Sequence, residues 1–162
     1  MAMMGNLRPA SDAEIERLLA NPADITRFLY GADAGESERV VLNKAWHAIH
    51  FVLTGSRLQG DEPLNFLVSE GTPVGEVDVG FGPARVLTSG QVRRIAAALA
   101  SVDPDEIARR VDLHKFDAEA IYPGNWQRNG YGTDYVVSNY REMRELITRT
   151  ADQGHGLVLY IN

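Results

Sequence analysis

The chain has 162 residues, 44% of them hydrophobic and 23% charged, proportions that let one domain bury about two-thirds of its surface and that exclude a wholly disordered chain. Cysteine is absent, which excludes disulfides, thiolate metal sites and cysteine nucleophiles together. Twenty-two acidic residues against sixteen basic ones leave a net charge of −6, a balance that disfavours general affinity for nucleic acid or for anionic membranes.

Met3 to Leu7 reads as a short strand. Ser11, with Glu14 three residues on, forms a capping box ahead of a helix whose apolar stripe is Ile15, Leu18 and Leu19. Asn21-Pro22 stops that helix and starts a short second one carrying Ile25, Phe28 and Leu29. The polar stretch through Gly31, Gly35 and Glu36 reads as a loop. A longer helix is predicted from Val41 to Thr54, ended by Gly55. Glu76-Val77-Asp78-Val79 alternates as a strand, and Gly80-Phe81-Gly82-Pro83-Ala84-Arg85 then turns the chain.

Thr88 or Ser89 opens the next helix, in which Val92, Ile95, Ala96 and Leu99 repeat at helical spacing. Asp103-Pro104-Asp105-Glu106 combines a cap, a first-turn proline and a capping-box glutamate, and its helix extends to about Val111. The chain breaks at Ile121-Tyr122-Pro123-Gly124. The last helix runs from Thr133 to Asp152 on an apolar face of Val136, Tyr140, Met143 and Ile147. Gly156 to Ile161 follows as an all-apolar strand, covered on both faces and so central in its sheet. The fold class is therefore α+β: a single compact domain over residues 1–162, with several helices packed on a small mixed β-sheet that includes the C-terminal strand. No apolar run approaches the ~20 residues of a membrane span, and Met1 to Asn6 lacks the pattern of a secretory signal. The expected location is cytoplasmic, with no membrane or nucleic-acid partner.

Within the predicted Val41–Thr54 helix, Leu42, Trp46, Ile49 and Leu53 form the core stripe. Asn43, His47, His50 and Thr54 stack in one row along its border. Such a row of amide, imidazole and hydroxyl groups suits a cleft or a ligand, and histidines three apart can share a metal ion. The alternative is a core histidine satisfied by the protein itself. No carboxylate completes a metal site in the row, and no HExxH pattern is present, so no metal ion is expected. Gly80 to Arg85 lacks the third glycine of a dinucleotide loop, and Pro83 removes an amide that would hold phosphate; with no Walker lysine either, no cofactor is expected. Arg85 remains a candidate anion binder if it reaches a cleft. Tyr122, Trp126, Tyr131 and Tyr135 form the main concentration of aromatics, suited either to recognition on a loop or to covering the core. No paired carboxylates and no serine in a nucleophile-elbow setting appear, so no catalytic residue is assigned.

The run Lys44-Ala45-Trp46-His47-Ala48-Ile49-His50-Phe51-Val52-Leu53-Thr54-Gly55 resembles the K-x-W-x-x-(I/L)-H-F-x-L-T-G segment of the YfbM-like bacterial proteins, a domain-of-unknown-function family. Glu62-Pro63-Leu64, Gly80 to Leu87, Ile121-Tyr122-Pro123 and Asp134-Tyr135 agree in order, so the resemblance covers nearly the whole chain. It implies a compact bacterial α+β domain and brings no established activity. Trp46, His50 and Thr54 fall on motif positions of that pattern, and His47 on a variable one.

Two readings follow. The first is a non-catalytic binding protein that recognises another protein, an immunity-type inhibitor of a basic toxin being one example; acidic charge would speed such an encounter. The second is a small-ligand-binding protein or enzyme with a cleft lined by His50, Thr54, Arg85 and Tyr122, which requires those side chains to converge. Trp126 and Tyr135 complete the set of candidate binding residues. The first reading is favoured, because polar groups that can line a pocket do not by themselves define chemistry.

Overall fold

A computed structural model describes residues 1–162. In chain order the elements are β1 (Gly5–Ala10), α1 (Asp12–Ala20), α2 (Ile25–Tyr30), β2 (Val40–Asn43), α3 (Trp46–Thr54), β3 (Thr72–Asp78), β4 (Pro83–Leu87), α4 (Ser89–Ala100), α5 (Pro104–Arg110), α6 (Leu113–Ala118), α7 (Thr133–Asp152) and β5 (Gly156–Ile161). Short 3₁₀ turns at Pro22–Asp24 and Ala32–Glu36 flank α2. The predicted caps form. Ser11 Oγ accepts the Glu14 N–H at 3.1 Å while Glu14 Oε1 accepts the Ser11 N–H at 3.1 Å. Thr88 and Gln91 make the same reciprocal pair ahead of α4, and Asp103 Oδ1 accepts the Glu106 N–H at 2.8 Å. Each satisfies donors that a helix start otherwise leaves open.

The five strands form one sheet in the order β2-β1-β5-β4-β3, with β5 at its centre. The class is α+β as expected, with seven helices on the sheet. A correction concerns its pairing: every neighbouring pair is antiparallel, where a mixed sheet was expected. β5 shows why both faces must be covered. Leu157 and Leu159 enter the larger core beneath α3, α4 and α7, whereas Val158 and Tyr160 enter a smaller core capped by α1 and α2 through Ile15, Leu18, Ile25 and Leu29. Alternation along the strand sends successive side chains to opposite faces.

The Val41–Thr54 helix prediction also needs correcting. Val40 to Asn43 instead pair with β1 as an edge strand, and the helix begins at Trp46. Asn43 has φ 52°, a left-handed conformation that breaks any helix at this point. The break is held from α7: Tyr135 Oη accepts the Lys44 N–H at 3.0 Å, and the Asn43 amide donates to Asn139 Oδ1 at 3.1 Å. From Trp46 to Leu53 every residue of α3 is buried, including Ala48 and Phe51, which lie outside the predicted core stripe. β4 and α6 are two further elements beyond the sequence reading.

Candidate functional site

A cavity of about 220 Å³ opens at one end of the sheet, on the face of the larger core. Its floor is set by register. Leu7 stands opposite Leu159, and Leu159 opposite Arg85, so these three side chains form a row across β1, β5 and β4. One step further along, Gly5 is opposite Ile161. Trp46 and Leu42 make one wall, and Leu58, Leu67 and Val68 another. Gly5 brings β1 directly under the helix: a Cβ there would lie 2.7 Å from Trp46 Cβ.

Phe81 stands at the mouth, 40% exposed, and Leu58 beside the opening is 57% exposed. The turn that presents Phe81 is tied down, since Asp78 Oδ1 accepts the N–H groups of Gly80 at 2.9 Å and Gly82 at 3.0 Å. The Phe81 N–H donates to Ile161 O at 3.0 Å. Ten of the fourteen lining residues are hydrophobic, and Arg85 is the one lining side chain charged at neutral pH.

Of the six residues singled out from the sequence, Arg85 lines this cavity, and His50, Thr54, Tyr122, Trp126 and Tyr135 do not. Their polar atoms meet other parts of the chain. His50 is fully enclosed, with Nε2 3.4 Å from Thr54 Oγ1 and Nδ1 without a partner. Burial, and then the neighbouring His47 ring, lower its pKa from 6.5 to about 4, so it is neutral at pH 7. Thr54 Oγ1 donates to His50 O at 2.8 Å and accepts the Ser56 N–H at 3.2 Å, folding the loop after α3 back on itself. His47, only 4% exposed, accepts the Tyr122 N–H on Nδ1 at 2.9 Å and donates from Nε2 to Arg57 O at 2.8 Å. Both contacts suit the neutral ring, and burial lowers its pKa as well.

Tyr122 Oη accepts the Met3 N–H at 2.8 Å, and its ring stacks on Trp46 at 5.9 Å. Trp46 Nε1 donates to Met3 O at 3.1 Å, so the backbone of residue 3 is gripped on both sides. Trp126 is 1% exposed, donates from Nε1 to Ile121 O and packs edge-on to Phe116. Tyr135 holds the Lys44 N–H and stacks on Tyr131 with ring centroids 4.3 Å apart. The aromatic segment thus braces the helices around α3.

These motif residues surround the wall that the cavity shares with α3, and the matching family profile covers residues 1–160, described as a domain of unknown function, DUF1877. The chain belongs to the DUF1877 family. A similar solved structure is YfbM from Escherichia coli, a protein of unknown function, at 22% sequence identity and a TM-score of 0.70, covering 98% of this chain and 99% of that one. That likeness shows a DUF1877 fold shared across the full length. No curated protein matches the sequence.

A second cleft, of about 450 Å³, lies on the smaller-core side. Arg8, Arg17 and Arg27 there face Glu14, Asp24 and Asp33, so its charges balance. Apart from Arg85, the lining of the sheet-end cavity went unnoticed in the sequence. Its one readable signal is the alternation Pro83, Arg85, Leu87, which places an arginine on the inward face once β4 is seen as a strand.

Proposed function

We propose that this protein is a non-catalytic binding protein and that the sheet-end cavity receives a small, largely apolar ligand. The observation that carries this reading is the cavity itself: about 220 Å³ of space with ten hydrophobic residues among fourteen, and an apolar rim of Leu58 and Phe81 on a turn held rigid by Asp78. Apolar walls with few polar groups are the usual make-up of small-molecule sites. The charged wall residue is an arginine, which keeps its proton near neutral pH and so offers charge rather than proton transfer. The aromatic segment, first considered as a recognition loop, lends less support, since Trp126 is buried and Tyr122 and Tyr135 accept hydrogen bonds from the backbone.

The experiment is an NMR titration of the full chain with ethylbenzene, with amide and methyl shifts as the readout. Shifts should concentrate on Leu7, Leu67 and Leu159 and disappear in Val68→Phe, which fills the space from its half-buried wall. Absence of saturable shifts up to the solubility limit, or shifts centred elsewhere, would refute the reading.

A further inference from the structure

The sheet-end cavity carries more information than its apolar walls, because of how Arg85 is held. A charged residue on the inward face of β4, opposite Leu159, needs a compensating environment. It reaches over to the segment before β3 and donates to three carbonyls there: Nη1 to Phe66 O at 3.1 Å and to Glu70 O, and Nη2 to Leu67 O at 2.8 Å. A guanidinium has five N–H groups. Three are thereby engaged, and the Nε hydrogen and the second Nη2 hydrogen have no protein acceptor. Both donors sit on nitrogens of one planar guanidinium, and a carboxylate has two oxygens to offer them.

Carbonyl oxygens orient the guanidinium without neutralising it. None of the four ion pairs in the protein involves Arg85. The nearby carboxyl, Glu70, is 4% exposed and keeps Oε2 unpartnered, with Oε1 facing the Gln91 amide at 3.5 Å. Glu70 therefore acts on Arg85 through space only, and the guanidinium is oriented by carbonyls with no carboxylate in contact, in a largely apolar wall.

We propose that the ligand of this cavity is a small apolar carboxylate, its two oxygens on the Nε–Nη2 edge of Arg85 and its hydrocarbon body along Leu7, Leu159 and Trp46. This inference rests on the reading of the cavity as a binding site and adds the ligand's chemical class. The space suits roughly ten non-hydrogen atoms, by comparison with protein cavities of about 150 Å³ that hold benzene. Arginine is better suited than lysine here, because its fixed fork defines the ligand's orientation as well as its charge.

The test compares 3-phenylpropanoate with its neutral amide, 3-phenylpropanamide, and with ethylbenzene, each titrated into the full chain by NMR or calorimetry. The acid should bind about tenfold or more tightly than the amide, the range expected when a charged bidentate contact replaces a neutral one. Arg85→Lys should keep part of that preference, and Arg85→Gln should abolish it. Since Arg85 also secures the 66–70 carbonyls, these variants can lose stability, and the acid-to-amide ratio in the unaltered protein is the deciding measurement. Equal affinities for acid and amide, with ethylbenzene bound, would overturn the carboxylate assignment and leave the apolar site standing. Failure of all three to bind would overturn both. Shifts from the acid centred on the Arg17 and Arg27 cleft would also overturn it, by moving the anion to another site.

Discussion

Acidification tests how His50 is held. Its imidazole is fully enclosed, and its pKa is lowered from 6.5 to about 4 by burial and by the adjacent His47. Above pH 6.5 the ring is neutral in both the folded and the unfolded chain, and its contribution to stability is fully present. As the pH falls below 6.5, the unfolded chain takes up a proton that the folded protein refuses until about pH 4. Stability is lost through that window, and the loss levels off below it. The unscreened linkage at pH 5 is about 2 kcal/mol, and screening by solvent along the exposed 57–60 loop brings it to about 1 kcal/mol. Carboxylates titrate in the same range, so the informative quantity is a difference. Urea unfolding of the wild type and of His50→Leu should be compared at pH 7 and at pH 5. His50→Leu roughly preserves volume, removes the unpartnered Nδ1 and gives up one long contact to Thr54, so the two proteins should differ little at pH 7. On moving to pH 5 the variant should gain about 1 kcal/mol relative to the wild type. A difference that stays constant between the two pH values would mean that His50 binds its proton as readily folded as unfolded, and the enclosed-imidazole description would be wrong.

Gly5→Ala should destabilise the protein by about 1–3 kcal/mol in the same urea assay, because the new Cβ would meet Trp46 Cβ at 2.7 Å where strand and helix touch; an unchanged midpoint would show that α3 can shift away from β1 at no cost. Tyr140→Phe should cost about 1–2 kcal/mol, since the buried phenol donates to Val102 O and its removal leaves that carbonyl unpartnered. Burial also pushes the Tyr140 pKa up to about 12, so an ultraviolet titration should show a phenol ionising near pH 12 that is missing in the variant.

The elements that were legible in the sequence are those whose signals are local. α7 and β5 match their predicted bounds because a long apolar periodicity and an uninterrupted apolar run each identify themselves, and Ser11, Thr88 and Asp103 cap helices through side chains three residues from their targets. β2 was hidden because Leu42 and Trp46 fit one helical stripe equally well; the partners that break it, Tyr135 and Asn139, lie more than ninety residues away. β4 was masked by Gly80, Gly82 and Pro83, which dominate a local reading although Ala84 to Leu87 alternate between the two cores. The candidate site suffered most from distance. The row Leu7, Leu159 and Arg85 joins three strands from opposite parts of the chain. Arg85 drew attention as a possible anion binder, but the carbonyls that aim it belong to a segment without a motif. The two histidines were conspicuous by type, and their role as braces became visible only through Arg57, Thr54 and Tyr122.

The position of β5 has a consequence for how the protein is made. The strand that sits between β1 and β4 is the last of the five to be synthesised, and its ladder pairs Ala10 with Gly156. At ~5–20 residues per second, β1 waits roughly 7–30 s for its partner. During that interval β1 and β4 both present inner edges, a state in which exposed backbone donors and acceptors invite pairing with other chains. Neither face of the sheet can be completed meanwhile, since Leu157 and Leu159 supply the floor of the larger core and Val158 and Tyr160 that of the smaller one. Arrival of these six residues therefore converts two separate hairpin-sized pieces into one sheet and closes both cores in a single step, so the fold acquires its cooperativity with the last strand rather than gradually as the earlier ones emerge.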